Sequence, residues 1–449
     1  MAITGAWPGL MIIGLAVLSA ETGSSVRPPL VDAARSGDKE TLRALLKKKV
    51  DVNAAEGDGS TALHWASYRD DVESADLLLR AGAKVNTAND LGVTPLWTAC
   101  LNGSDAMVRR LLEAGANPNA ALQLGETPLM AASRAGYPGI VEQLLAKRAN
   151  ANARAARGQT ALMWAVAQKH PEVVRVLLAH GIDIQARSES WSQMMAVPPH
   201  GYMPYNRQIP HGGDTALLFA ARVGDLASAK LLVGAGANVN DADAWGISAT
   251  VLAAHSGFRE MVEYFLEKGA DPNAAKAGFT ALHEAIMRRD EKMVTALLAS
   301  GADPNIPLRT WTPTRRSSHD FHFDPALVGA TPFWLAARFS QPDVMRLLAK
   351  RGADPLFVQR SDFVAGEGFK HRAEVTTAVM AATGMGGGAA WVQPARSERE
   401  ALTLEAVKLG VELGVDVNAA NVDGRTALAA AKALRYSSVV KFLVDHGAR

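Results

Sequence analysis

Cysteine is almost missing: Cys100 stands alone in 449 residues. That excludes any intramolecular disulfide and any cysteine-rich zinc site. Neither sign of charge is in excess. The formal net charge is +2, which by itself points to no class of partner. The strained G-x-S-x-G elbow and the H-E-x-x-H zinc helix are both missing, so two common carriers of hydrolytic chemistry are excluded. Residues 1–20 carry no charged side chain and include the apolar run "GLMIIGLAVLSA", Gly9 to Ala20. It is short for a membrane span and suits the core of a secretory signal. The expectation is an exported chain, periplasmic or secreted, cleaved after Ser19 or Ala20. A retained membrane anchor is the alternative. Residues 21–27 read as a linker.

What is present is a globular composition, 48% apolar and 20% charged, long enough for several domains or one repeat array. The stretch "TALHWA" at Thr61 decides between these. It recurs as "TPLWTA" at Thr94, "TPLMAA" at Thr127, "TALMWA" at Thr160, "TALLFA" at Thr215 and "TALHEA" at Thr280. Variants occur at Ser248, Thr331, Thr377 and Thr426. The Thr or Ser and the final Ala persist, whereas the place held by His64 is also held by Trp97, Met130 and Leu218. A catalytic histidine would not be interchangeable with methionine, so the motif punctuates structure.

Successive motif threonines lie 33 residues apart where the array is regular. A glycine follows most of them by 21 residues, as at Gly82, Gly115, Gly181, Gly269 and Gly301. Between the two lies a stretch with apolar residues at helical spacing, such as "MVRRLLEAGANPN" from Met107. The glycine ends that helix by taking a left-handed backbone. The Thr caps a shorter helix before it, and Pro in "TPL" sits where its missing N–H costs nothing. Each unit is thus a turn, a short helix, a tight loop and a longer helix. One unit cannot bury its apolar stripe alone, but a stack can.

The motif, the period and the endings "GADPN" at Gly269 and Gly301 and "GVDVN" at Gly414 resemble ankyrin repeats. The resemblance covers residues 28–449. It implies an all-α repeat solenoid of eleven helix-turn-helix units, with hairpin fingers and a concave groove that binds other proteins. It also places the second and third residues after the motif alanine in that groove. These include Arg35, Tyr68, Arg69, Leu101, Arg134, Arg222, His255, Met287, Arg288, Arg338 and Phe339. Six arginines in this register predict a basic stripe suited to carboxylates, with Tyr68 and Phe339 among the apolar anchors. The partner expected is another protein, through an acidic segment. A salt-bridged groove neutralised by finger carboxylates is the alternative.

Long spacings locate four insertions. Three fall in the fingers, near 185–213, 306–329 and 356–375, and one falls between two helices near 384–399. The first carries Trp191, Tyr202 and Tyr205 among several prolines, which predicts a folded lobe packed on the fingers or reserved for a partner. About 30 Å separates the starts of the first two, a gap such a loop could cross.

"HDFHFD", His319 to Asp324, offers zinc-type ligands but lacks a second cluster. "GMGGGA" at Gly384 fits a phosphate loop superficially. It follows a helix rather than a strand, and so reads as a flexible interhelix loop. Trp65, Trp164 and Phe219 read as core residues. No catalytic residue, metal ligand set, cofactor or nucleic-acid motif is assigned. The function expected is a non-enzymatic protein-binding module. The rivals are an enzyme or metalloprotein acting through the insertions, or a small-molecule receptor beneath the first one. The oligomeric state stays open.

Overall fold

The computed structural model describes residues 27–195, 202–312, 322–365, 369–388 and 392–449. The leader expected at 1–20 lies outside these, as do His319 and Asp320 of the histidine cluster. The chain divides into two compact units, Met1–Asn150 and Ala151–Arg449.

Twenty-two α-helices occur among the described residues, and they form eleven antiparallel pairs. The first unit holds four pairs, from Pro29–Ser36 with Lys39–Lys47 to Pro128–Ala135 with Pro138–Ala146. The second holds seven, from Ala161–Ala167 with Pro171–Ala179 to Ala427–Leu434 with Ser437–Asp445. Within each unit, first helices pack on neighbouring first helices and second helices on second helices.

The capping threonines act as the sequence predicts. Thr94, Thr127 and Thr331 each accept a hydrogen bond from the third helical N–H and are followed by Pro at the first helical position. Asp38, Asp71, Asp225 and Asp290 cap second helices in the same manner. The motif leucines Leu63, Leu96 and Leu129 are 1% exposed. Burial of each contributes about 2–3 kcal/mol. Gly82, at φ 91°, stops its helix in the left-handed region that other residues enter only with strain.

The asparagine of the "GADPN"-type ending does more than turn the chain. Asn273 donates to the Gly301 carbonyl at 3.1 Å and accepts from the Asp303 N–H at 2.7 Å. Asn53, Asn86 and Asn119 in the first unit, and Asn240, Asn305 and Asn418 in the second, repeat this two-way bridge to the next helix stop.

Two insertions form antiparallel hairpins. The first contains β1 (Trp191–Met195) and β2 (Arg207–His211), and the third contains β3 (Gln359–Ala365) and β4 (Lys370–Thr376). The second carries a 3-10 turn, Pro325–Leu327, with Phe323 and Leu327 fully buried. The interhelix insertion is shorter than the spacing predicts, because part of it joins a helix. Every other second helix has nine residues, whereas Arg396–Glu412 has 17 and begins inside the stretch 384–399.

Trp65 and Trp164 correct an expectation in degree. Phe219 is 7% exposed, but the two tryptophans are half-buried rather than in the core. The Trp65 indole N–H reaches the Glu56 carboxylate at the helix edge.

Candidate functional site

The residues assigned to a groove lie at the C-terminal ends of first helices, where backbone carbonyls lack intrahelical partners. That fact explains two of the six arginines. Arg69 donates to the carbonyl of Arg35 at 3.2 Å, and Asn102 donates to that of Tyr68 at 2.9 Å. In the second unit Arg288 donates to the carbonyl of His255 at 2.7 Å, and Ser256 to that of Arg222 at 3.4 Å. In these four repeats the third residue after the motif alanine thus ties down a helix end in the repeat before it.

The other arginines have partners of their own. Arg134 pairs with Glu126 at 2.9 Å and Arg222 with Asp214 at 2.8 Å, each with a carboxylate eight residues earlier. Burial holds the Glu126 carboxyl above its ordinary range, against the opposing pull of Arg134. Arg35 lies 4.9 Å from the Trp65 ring centroid, a cation–π distance. His255 bonds through Nδ1 to the buried Glu284 at 3.1 Å. Arg338 donates to the carbonyls of Gly387 and Gly388 at 2.8 and 2.7 Å, and burial lowers its pKa to about 10. What the register holds is therefore a neutralised, internally bonded edge. Phe339 and Met287, expected as groove residues, are 4% and 1% exposed and pack inside.

Among the described residues, the exposed large apolar groups of the first unit are Tyr68 in this register and two fingertip leucines. Tyr68 is 58% exposed, with its ring edge-on to Trp65. Leu91 and Leu124 occupy equivalent fingertip places and are 55% and 72% exposed. Backbone bonds join successive tips, from the Asp90 N–H to the Asp58 carbonyl at 2.9 Å and from the Gln123 N–H to the Leu91 carbonyl at 3.4 Å.

Tyr202 and Tyr205 of the first insertion are engaged by the other two finger insertions. Tyr205 Oη accepts from the Val364 N–H at 2.7 Å, and its ring lies 5.1 Å from that of Trp311. The Arg207 guanidinium stacks 3.5 Å from the Trp311 centroid. Tyr202 meets Phe369 at 5.5 Å and bonds to His371 at 3.3 Å. Trp191 stacks on His211 at 5.5 Å beneath Arg157. Within the second unit, three insertions separated in sequence thus close on one another.

The glycine run is also engaged, which corrects its reading as a flexible loop. Gly386, Gly387 and Gly388 have φ of 90°, 73° and 68°. A Cβ on Gly387 would lie 2.7 Å from Ala326 Cβ, and one on Gly388 2.6 Å from Leu327 Cδ2. The run is wedged against the 3-10 turn, and glycine is what the space admits. At the histidine cluster Asp324 caps that same turn through the Ala326 N–H. Among the described residues no three potential metal ligands converge.

Ankyrin repeat profiles match residues 30–121, 97–188 and 212–307 as ankyrin repeats in three copies, residues 162–233 as ankyrin repeats in many copies, and residues 328–359 as a single ankyrin repeat. The chain belongs to the ankyrin repeat family. It is 36% identical over 89 residues to palmitoyltransferase Hip14 of Drosophila melanogaster, covering 19% of this chain. It is 40% identical over 72 residues to putative ankyrin repeat protein L92 of Acanthamoeba polyphaga mimivirus, covering 16% of this chain. The matched stretches span 14% and 17% of those two relatives. The human ASB11 ankyrin repeat domain is similar at 30% identity with a TM-score of 0.44, covering 53% of this chain and 98% of that one.

Against the ankyrin pattern, the insertion clasp and the wedged glycine run stand out as additions of this chain. Sequence reasoning found the insertions and missed where they meet. It also missed Leu91 and Leu124, although both are bulky apolar residues just before the glycine of a fingertip turn.

Proposed function

We propose that this ankyrin chain is a non-enzymatic module that binds another protein. The observation that carries the reading is the fingertip pair Leu91 and Leu124, exposed with Tyr68 on a unit whose other large apolar side chains are mostly buried. Exposed apolar groups repeated at equivalent places favour an extended partner segment, with each group seated in a small pocket of the partner. Arg69 and Arg134 of the same unit supply polar rim contacts, and an acidic segment is the partner we favour there. Their internal partners reduce the charge they offer, so the apolar anchors contribute most. We place the protein in an exported compartment on the strength of its uncharged leader. Among the described residues no helix is long and apolar enough to cross a membrane.

The test is affinity capture from the exported fraction, with partners identified by mass spectrometry. A partner held by the wild type and lost on Leu91→Asp with Leu124→Asp, at unchanged helical circular dichroism, supports the reading. Arg69→Glu with Arg134→Glu is expected to weaken capture by a smaller factor and to reduce its salt dependence. Capture indifferent to both double variants removes this surface from the function.

A further inference from the structure

The second unit holds a cavity of about 560 Å³ between the β3–β4 hairpin, the glycine run and the helix Ala427–Leu434. That volume falls in the range of small-ligand sites. Its walls come from the insertions, from the finger turn that holds Asn421 and Arg425, and from the last two helix pairs, so the regular repeat alone does not prescribe it.

Its polar groups are unequal in their commitments. Arg372 and Arg425 line the cavity and are exposed at its rim, and neither guanidinium has a hydrogen-bond or ion-pair partner among the described residues. Strand alternation puts Arg372 and Glu374 on the face that carries Phe363, the cross-strand partner of Arg372. Glu374 accepts from the Asn421 side-chain amide at 3.1 Å, and Asp324 from the Ala326 N–H at 2.9 Å. Both carboxylates keep further lone pairs for donors.

The glycine run contributes its backbone. Arg338 holds the Gly387 and Gly388 carbonyls and does not line the cavity. A trans peptide points the Gly388 N–H away from the Gly387 carbonyl. No described residue accepts from the N–H of Gly386, Gly387 or Gly388. Apolar surface lies beside these donors: Phe363, Met385 and Leu434, the last 45% exposed.

The ligand that complements this set carries one carboxylate, adjacent N–H donors and an apolar group. A dianion such as phosphate would meet repulsion from Glu374 and Asp324. We propose that the cavity binds the C-terminal end of a peptide with an apolar last side chain. The terminal carboxylate lies between Arg372 and Arg425 and takes the glycine N–H groups. The peptide N–H groups face Glu374 and Asp324, and the last side chain rests on Phe363, Met385 and Leu434. The site and the fingertip surface share no residue, so failure of one leaves the other measurable.

The test is fluorescence anisotropy of N-terminally labelled tetrapeptides ending in Leu or Phe, as free acids and as C-terminal amides, with the full chain. The free acids are expected to bind at least about tenfold tighter than the amides, and Arg372→Gln or Arg425→Gln to cost about tenfold each. Leu91→Asp with Leu124→Asp should leave this binding unchanged. Equal binding of acid and amide, indifference to both arginine variants, or no saturable binding up to about 1 mM would overturn the proposal. So would competition by free leucine as strong as that by the unlabelled tetrapeptide, which would make the site one for a small amino acid.

Discussion

His64 and His283 show how a single side chain serves a repeat. Each Nδ1 accepts the N–H of the motif threonine three residues earlier, at 3.0 and 3.1 Å. In His64 the other nitrogen therefore carries the proton and donates to the Val93 carbonyl at 3.0 Å. Burial keeps both rings neutral, with the His283 pKa lowered to about 4 and His64 shifted in the same direction. The unfolded chain takes up a proton near pH 6.5, while folded His283 refuses it until about pH 4. Stability is therefore complete above pH 6.5 and falls as pH drops, by on the order of 3 kcal/mol from this group. Urea unfolding should show a lower midpoint at pH 4.5 than at pH 7. His283→Gln, whose amide can also accept the Thr280 N–H, should shrink that difference; an equal fall in both proteins would show that other groups govern it. At this scale the sequence was largely readable, since swapping His for Met at one motif place already implies a structural role. The partners of Arg69 and Arg288 were not readable. A register of arginines looks the same in sequence whether it faces a ligand or a carbonyl 33 or 34 residues away.

Among the elements, the helix pairs follow from local rules and the insertions do not. Capping threonine, first-turn proline and terminal glycine act within a few residues, so the period located every pair. The contacts of Tyr205, Trp311 and Val364 join places more than 50 residues apart, and no local pattern encodes them. The glycine run shows the same limit. Its composition suggested freedom, yet its conformation is set by Ala326, Leu327 and Trp334. Gly82→Ala and Gly387→Ala separate the two situations. Both demand a left-handed alanine, but a Cβ on Gly82 meets nothing within 4 Å. Gly82→Ala is expected to cost about 1 kcal/mol and Gly387→Ala about 3 kcal/mol, the difference being overpacking. Equilibrium denaturation of the two variants checks this; equal costs would mean that the run is loosely seated.

For the whole molecule, the composition and period gave the family and the number of units, while the partition after Asn150 left no trace in the repeat spacing. Residues 27–150 contain four helix pairs, above the roughly three repeats that a stack needs. Expressed alone, they should give a helical circular dichroism spectrum and a sigmoidal thermal transition; a coil spectrum would show that these pairs depend on the remainder. The asparagine bridges carry one more consequence. Asn273 spans 28 residues to its glycine, whereas Asn305 spans 47 to make the same contact at Gly352. The bridge is blind to how much polypeptide leaves and re-enters between its ends. Each such neck is a natural splice point, where an evolving gene can lodge new sequence and an engineer can graft a foreign module without disturbing the masonry on either side.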